Sequence, residues 1–216
     1  MPMTEPCLVL DGSARQGVRV GVLAGGRWVG EATSVEGALE ATFVCAQAAL
    51  TAAQLPLSAI RSFAVCVGPG SMLGIRVTAM AVRTWVVLER RPIYVWEPLV
   101  ALAAACRLRG ESAPFTVAAP SRLKRWHVVD VAAHGAVSPA RECEVEQVLA
   151  LSSRVLTTLI TAPQILPAAE VVPESWVLLP IIFSQAGICR PEPKPEALNA
   201  TEDFATWSGE RHRAAP

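Results

Sequence analysis

Residues 65–76 read Val65-Cys66-Val67-Gly68-Pro69-Gly70-Ser71-Met72-Leu73-Gly74-Ile75-Arg76, and the fold is decided there. A β-rich apolar run, Phe63 to Val67, stops at Gly68-Pro69-Gly70-Ser71, and a helix-like pattern from Leu73 to Glu89 starts directly after it. Ser71 stands where an N-cap is needed, with a hydroxyl that can accept from the first unpaired helix amides. Arg76, Arg83 and Arg90 fall seven apart and form one basic stripe on an otherwise apolar rod. Arg91-Pro92 ends that rod, Ile93 to Trp96 reads as a strand, and Leu99 to Arg107 as another helix.

Upstream, Cys7 to Asp11, Val18 to Leu23 and Trp28 to Ala32 are apolar runs separated by Gly12–Gly17 and Gly25-Gly26, a three-strand meander. Between Glu36 and Gln54, Leu39, Phe43, Ala46, Leu50 and Ala53 recur at steps of four and three. A second row, Ala41, Cys45, Ala48, Ala52 and Leu55, lies beside it. Only a narrow polar stripe of Glu40, Gln47, Thr51 and Gln54 remains, so this helix calls for cover on more than one side. The first half thus reads β-β-β-α-β-α-β-α.

Downstream the pattern is weaker. Phe115 to Ala118 and Trp126 to Val131 read as strands around a basic turn, Ser121-Arg122-Leu123-Lys124-Arg125, and Val155 to Ile160 as a further strand. A helix is expected from Pro173 to Gly187, kinked at Pro180. From Arg190 the composition turns to Pro, Glu and Lys, which predicts a mobile or surface-draped tail. The expected organisation is an N-terminal lobe over 1–108, a smaller lobe over 109–189 and a tail over 190–216.

The chain has 216 residues, 52% apolar and 18% charged, enough for a sizeable core and too apolar for a disordered protein. Lys plus Arg and Asp plus Glu both number 19, so no net field draws it to nucleic acid or an anionic membrane. Mean hydropathy is +0.38, yet no uncharged stretch approaches the roughly 20 residues of a spanning helix. With no secretory signal at its start, a cytoplasmic location is expected. Six cysteines lie far apart without a CxxC pair, and are read as reduced, mostly buried small hydrophobes.

The stretch from Val65 to Arg76, continuing to Arg91-Pro92-Ile93, resembles the bacterial TsaB (YeaZ) family, whose mark is a strand, GPGSFTGLR, a helix and a following strand. Asp11-Gly12-Ser13 is similar to that family's DTS at the end of its first strand, and Glu97-Pro98-Leu99-Val100-Ala101-Leu102 to its SLEAL. The resemblance covers roughly the first half of the chain. It implies an α/β, actin-like ATPase (ASKHA) fold, two related lobes each with a mixed β-sheet flanked by helices. It also implies a non-catalytic protein that pairs with TsaD, so that TsaD transfers a threonylcarbamoyl group to the tRNA adenosine next to the anticodon. A TsaE-like ATPase joins that pair, tRNA is met only through the complex, and no membrane is involved.

In such a fold the first turn faces nucleotide phosphates, which makes Asp11, Gly12, Ser13, Gly68, Gly70 and Ser71 candidates for phosphate contact. Backbone amides and a helix dipole converging on a glycine loop have the physics of an anion site. The same residues also serve as a plain strand-to-helix corner. The chain departs from the family at two hydroxyls, having Gly12 after Asp11 and Met72-Leu73 for Phe-Thr, so no cofactor is expected beyond weak ATP or ADP contact. The three histidines, His127, His134 and His212, include no pair one helical turn apart, so the metal site of the catalytic relative is not expected. The family's acidic-basic turn is here Ser121 to Arg125, with both acids replaced, which reads as a solvated hairpin.

The remaining chemistry is that of an interface. The two early helices are expected to pack against a partner's matching pair in a four-helix bundle, through Leu39, Phe43, Gln47, Leu50, Met72, Arg76, Met80 and Arg83. Met72, Ile75, Ala79, Met80 and Val86 are expected along the exposed edge. Thr78, Thr84 and Trp85 stand where the family has small residues, which alters how closely helices approach. Two alternatives stay open: an ATP-binding enzyme that hydrolyses ATP or transfers phosphate, and a self-associating homodimer built on the same face.

Overall fold

The computed structural model describes residues 3–14, 17–121, 124–194 and 198. Strands β1 (Cys7–Asp11), β2 (Val18–Ala24) and β3 (Arg27–Ser34) form the antiparallel meander. Helix α1 (Ala38–Ala52), β4 (Ser62–Cys66), α2 (Met72–Leu88), β5 (Ile93–Trp96) and α3 (Pro98–Leu108) follow in the expected order. β4 runs parallel to both β1 and β5.

Alternation along these strands sends side chains to two separate cores. Leu8, Leu10, Val20, Phe63, Val65, Ile93 and Val95 face α1 and α2. Cys7, Val9, Ala64, Cys66, Tyr94 and Trp96 face α3 and the later chain. Within the helix layer, α1 lies on β2 and β3 while α2 lies on β1 and β4.

The second lobe holds β6 (Phe115–Pro120), β7 (Arg125–Val131), β8 (Arg141–Glu144), α4 (Val145–Leu149), β9 (Arg154–Thr157) and β10 (Ala169–Val171). Its sheet has the order β10-β9-β6-β7-β8, with β6 antiparallel to β7 and parallel to β9. Leu99, Leu102 and Cys106 of α3 share a core with Phe115, Val117 and Val129, so one helix serves both lobes. Both sheets mix parallel and antiparallel pairs, which is the α/β architecture expected.

Three expectations need correction in the C-terminal half. No long helix spans Pro173 to Gly187: Trp176–Leu178 is one 3-10 turn, and α5 (Leu179–Ile182) follows it with Pro180 in its first turn. Proline is tolerated there because its missing amide would have been unpaired anyway, so it begins a helix and kinks nothing. The segment also leaves the second lobe, since Trp176, Leu179, Ile182 and Phe183 pack into the core of the first.

The third correction concerns the tail. Arg190–Pro191 forms β11, an antiparallel edge strand on β5, so the first sheet has the order β11-β5-β4-β1-β2-β3. Glu192 donates its amide to Ile93 O at 2.8 Å, and Leu198 is 2% exposed in the core under α1 and α2. Chain chemistry at an edge strand looks locally like a polar tail, because proline and charge are what such edges carry. Residues 195–197 and 199–216, which include His212, lie outside the described residues.

Candidate functional site

Residues at the glycine corner meet the first turn closely. Ser71 caps α2, its hydroxyl accepting from the Gly74 amide at 3.4 Å. The Ser71 amide donates to Ser13 O at 2.7 Å, and the Ser13 amide donates to Asp11 Oδ1 at 2.8 Å. Gly12 and Gly74 face one another: a Cβ on Gly12 would lie 2.4 Å from Gly74 O, and one on Gly74 would lie 2.0 Å from Gly12 O. A Cβ on Gly70 would meet Ser13 O at 2.3 Å. Glycine at these positions lets two backbones touch.

Of the backbone amides at this corner, that of Ser71 is taken by Ser13 O. Gly12 and Gly68 are buried, so of the six candidate contact residues only Asp11, Ser13, Gly70 and Ser71 reach the space between the lobes.

That space is a cavity of about 840 Å³, closed on the second-lobe side by Ala119, Ser121, His127 and Leu159. Trp96 lines it, and its indole N–H is buried without a partner among the described residues. His127 sits half-buried on β7, and His134 lies exposed beyond that strand. No group of three His, Cys, Asp or Glu that could hold a metal occurs among the described residues. In the basic turn, Arg122 and Leu123 lie outside the described residues, while Arg125 pairs with Glu142 at 2.9 Å.

One set of contacts gave no signal in the sequence. The Trp176 indole donates to Glu31 Oε1 at 2.7 Å, and the Trp28 indole donates to Trp176 O at 3.2 Å. The two rings stack at 4.9 Å. Arg19 pairs with Glu174, and Arg109 donates to the carbonyls of Pro173 and Glu174 at 2.7 and 2.6 Å. Together they clasp the segment that returns from the second lobe onto the first.

The helix pair leaves some of the expected interface residues exposed and buries others. Leu39 and Phe43 are exposed at 67% and 52%, as are Gln47 and Arg76, while Arg83 is half-buried. Met80 is 63% exposed. Leu50, at 4%, is a core residue facing the sheet, and Met72 turns toward the interlobe cavity, so neither belongs to the outer face. Ile75, Ala79 and Val86 are likewise buried, against expectation.

The exposed apolar positions of α2 are Leu73, Met80, Val87 and Leu88, with half-buried Val77 between. Leu73, Val77, Met80, Thr84 and Val87 follow four-three-four-three spacing, the seam of a helix that expects another helix against it. Each of Leu73, Met80 and Val87 lies three residues before an arginine of the Arg76, Arg83, Arg90 stripe, a relation that would have located the seam in the sequence. Trp85 fills the gap between the helices, stacking on Phe63 at 5.5 Å and meeting Phe43 edge-on at 5.8 Å.

The six cysteines are free, and all but Cys189 are fully buried. Burial pushes the Cys66 thiol well up and the Cys189 thiol to about 12, so neither offers a thiolate at neutral pH. Among the described residues no helix is long and apolar enough to cross a membrane.

Comparison with known proteins bears on this arrangement. The family model described as TsaD: tRNA N6-adenosine threonylcarbamoyltransferase matches residues 38–125, the helix pair and the strands and helix that follow. A crystal structure described as an uncharacterized protein with similarity to peptidase YEAZ from Pseudomonas aeruginosa superposes with a TM-score of 0.64 at 19% identity, over 82% of this chain and 90% of that one. The structure of YeaZ from Pseudomonas aeruginosa gives 0.65 at 18% identity, over 82% and 91%. No curated protein sequence matches.

Proposed function

From a chain that is YeaZ-like in fold and TsaD-like in sequence over residues 38–125, we propose a non-catalytic subunit that pairs with a TsaD-like protein and supports threonylcarbamoyl transfer to tRNA. The single observation that carries this reading is the α2 seam, where Met80 and Val87 are 63% and 83% exposed on a helix with heptad spacing. Such a seam buried against a partner's helix pair forms a four-helix bundle, with Leu39 and Phe43 completing the apolar face and Arg76 and Arg83 at its rim. Rim arginines favour an acidic edge on the partner. The reading needs no bound nucleotide. It places the protein in the cytoplasm, where tRNA is modified, with a TsaE-like ATPase meeting the pair.

The test is association. Mixed with a TsaD-like protein from the same source, the chain forms a complex of one copy each by light scattering. Covering the Met80 side chain is worth about 1–2 kcal/mol, and a carboxylate buried there costs several more. Met80→Glu therefore weakens the complex by about 100-fold or more, with the circular dichroism of the free chain unchanged. Absence of a complex, or indifference to Met80→Glu, overturns the proposal, and a Met80-dependent homodimer would favour self-association instead.

A further inference from the structure

We infer that the two lobes form one rigid body, and that Arg109 pins them by tying together the two stretches of chain that cross between them. The pin is independent of any partner.

The chain leaves the first lobe at the end of α3, through residues 109–114, and returns after β10 through residues 173–175. The return stretch walls the interlobe cavity with Glu174 and Ser175. Between the lobes, α3 belongs to both. Ala101, Ala104 and Ala105 pack in the core of the first lobe, and Leu99, Leu102, Ala103 and Cys106 in that of the second. Small side chains on this helix let both sheets approach its axis closely. At its C-terminal end three side chains reach across. Arg107 donates to Gly135 O at 3.2 Å, and Glu111 pairs with Arg154 of β9 at 3.1 Å. Between them Arg109 donates from both terminal nitrogens, to Pro173 O at 2.7 Å and Glu174 O at 2.6 Å.

A hinge needs a few residues free to change φ and ψ. In the return stretch each residue is fastened. Val172 donates its amide to Thr157 O at 2.8 Å, and Arg109 holds the next two carbonyls. Arg19 of β2 pairs with the Glu174 carboxylate, and Ser175 O accepts from the Leu178 amide at 2.9 Å. Trp176 is stacked on Trp28 and bonded to Glu31. In the outgoing stretch the amides of Arg109, Gly110 and Glu111 donate back into α3, to Ala105 O, Arg107 O and Cys106 O, at 3.0 Å each. The pair of Glu111 with Arg154 then bridges from that turn to β9, past Ser112 to Pro114. Arg109 is the group common to both stretches. Its backbone closes the end of α3, and its planar guanidinium fork grips two successive carbonyls of the other crossing, which a lysine cannot reproduce. Rotation of one lobe against the other has to break that fork. The cavity therefore keeps one width, and whatever enters it meets walls already in place rather than lobes that close on it.

Pulsed electron–electron double resonance reads that width. Nitroxides are attached at Val35→Cys on the first-lobe wall and at Ile160→Cys, next to Leu159 on the second, both positions being 82% exposed. A Cys189→Ser background leaves only buried native cysteines. The full chain gives one narrow distance, unchanged by ATP with magnesium. Arg109→Ala and Arg109→Lys, with the circular dichroism of the parent, each broaden the distribution about twofold as the crossings are freed. A broad or double distance in the parent, a shift on adding ATP, or Arg109 variants as narrow as the parent would each overturn the inference. Should Arg109→Ala lose its fold, Arg109→Lys and the parent's own width still decide.

Discussion

Replacing Gly12 with alanine tests how the first turn closes on α2. The new Cβ lies 2.4 Å from Gly74 O and 2.6 Å from Gly74 C, where carbon contacts need about 3.5 Å. Neither side can give cheaply: Gly12 follows β1 in the centre of the sheet, and Gly74 sits in the first turn of α2 with its amide held by Ser71. Overpacking of this kind costs about 1–3 kcal/mol, and backbone against backbone belongs at the upper end. Reduced freedom of the unfolded chain returns about 0.4–1 kcal/mol, which leaves Gly12→Ala about 2 kcal/mol less stable. Gly74→Ala gains about 1 kcal/mol of helix propensity but meets Gly12 O at 2.0 Å, so its net loss is of similar size. Both strain one contact, so the double variant loses less than the sum by about 1 kcal/mol. Urea unfolding reads these as midpoints lowered by about 1 M, given slopes of about 2 kcal/mol per molar. A Gly12→Ala protein within 0.5 kcal/mol of the parent by the same measurement, or strictly additive variants, would refute the closed corner.

Two further outcomes follow from other parts of the molecule. Trp176→Phe loses the bond to Glu31 and costs about 0.5–1.5 kcal/mol, while a cycle of Trp28→Ala and Trp176→Ala shows a coupling of about 0.5–1.5 kcal/mol from ring stacking; additivity in urea unfolding would contradict the clasp. At Asp130, burial pushes the carboxyl up, but hydrogen bonds from Arg141 at 2.8 Å and Thr116 at 2.7 Å outweigh it and hold the group below the usual aspartate value. Its stabilising contribution is therefore full above the unfolded chain's pKa and is lost as pH falls through the lower folded value; carboxyl NMR titration shows the low midpoint, and Arg141→Ala raises it.

What the sequence discloses here follows from how local each signal is. The glycine corner, the meander turns and the alternating strands of the first lobe are set by neighbouring residues, and β1 to α3 appear within a few residues of where periodicity places them. β8 and β10 are strands of four and three residues, too short to carry a periodicity that can be seen. The clasp joins Glu31 to Trp176 and Arg19 to Glu174 across well over a hundred residues, and nothing local marks either pair. On α2 the arginine stripe was visible while the seam beside it was misplaced by part of a turn: Ile75, Ala79 and Val86 look no different in composition from Leu73, Met80 and Val87, and only the sheet beneath decides which row is covered. Leu50 shows the same limit on α1, sharing a helical row with exposed Leu39 and Phe43 while lying over the sheet.

The most direct measurement of the central claim is threonylcarbamoyladenosine in the tRNA of cells lacking their own YeaZ-like protein and supplied with this chain together with its TsaD-like counterpart. The account predicts that the parent chain restores the modified nucleoside, and that Met80→Glu, folded and equally abundant, does not. No restoration by the parent chain, or full restoration by Met80→Glu, would contradict it.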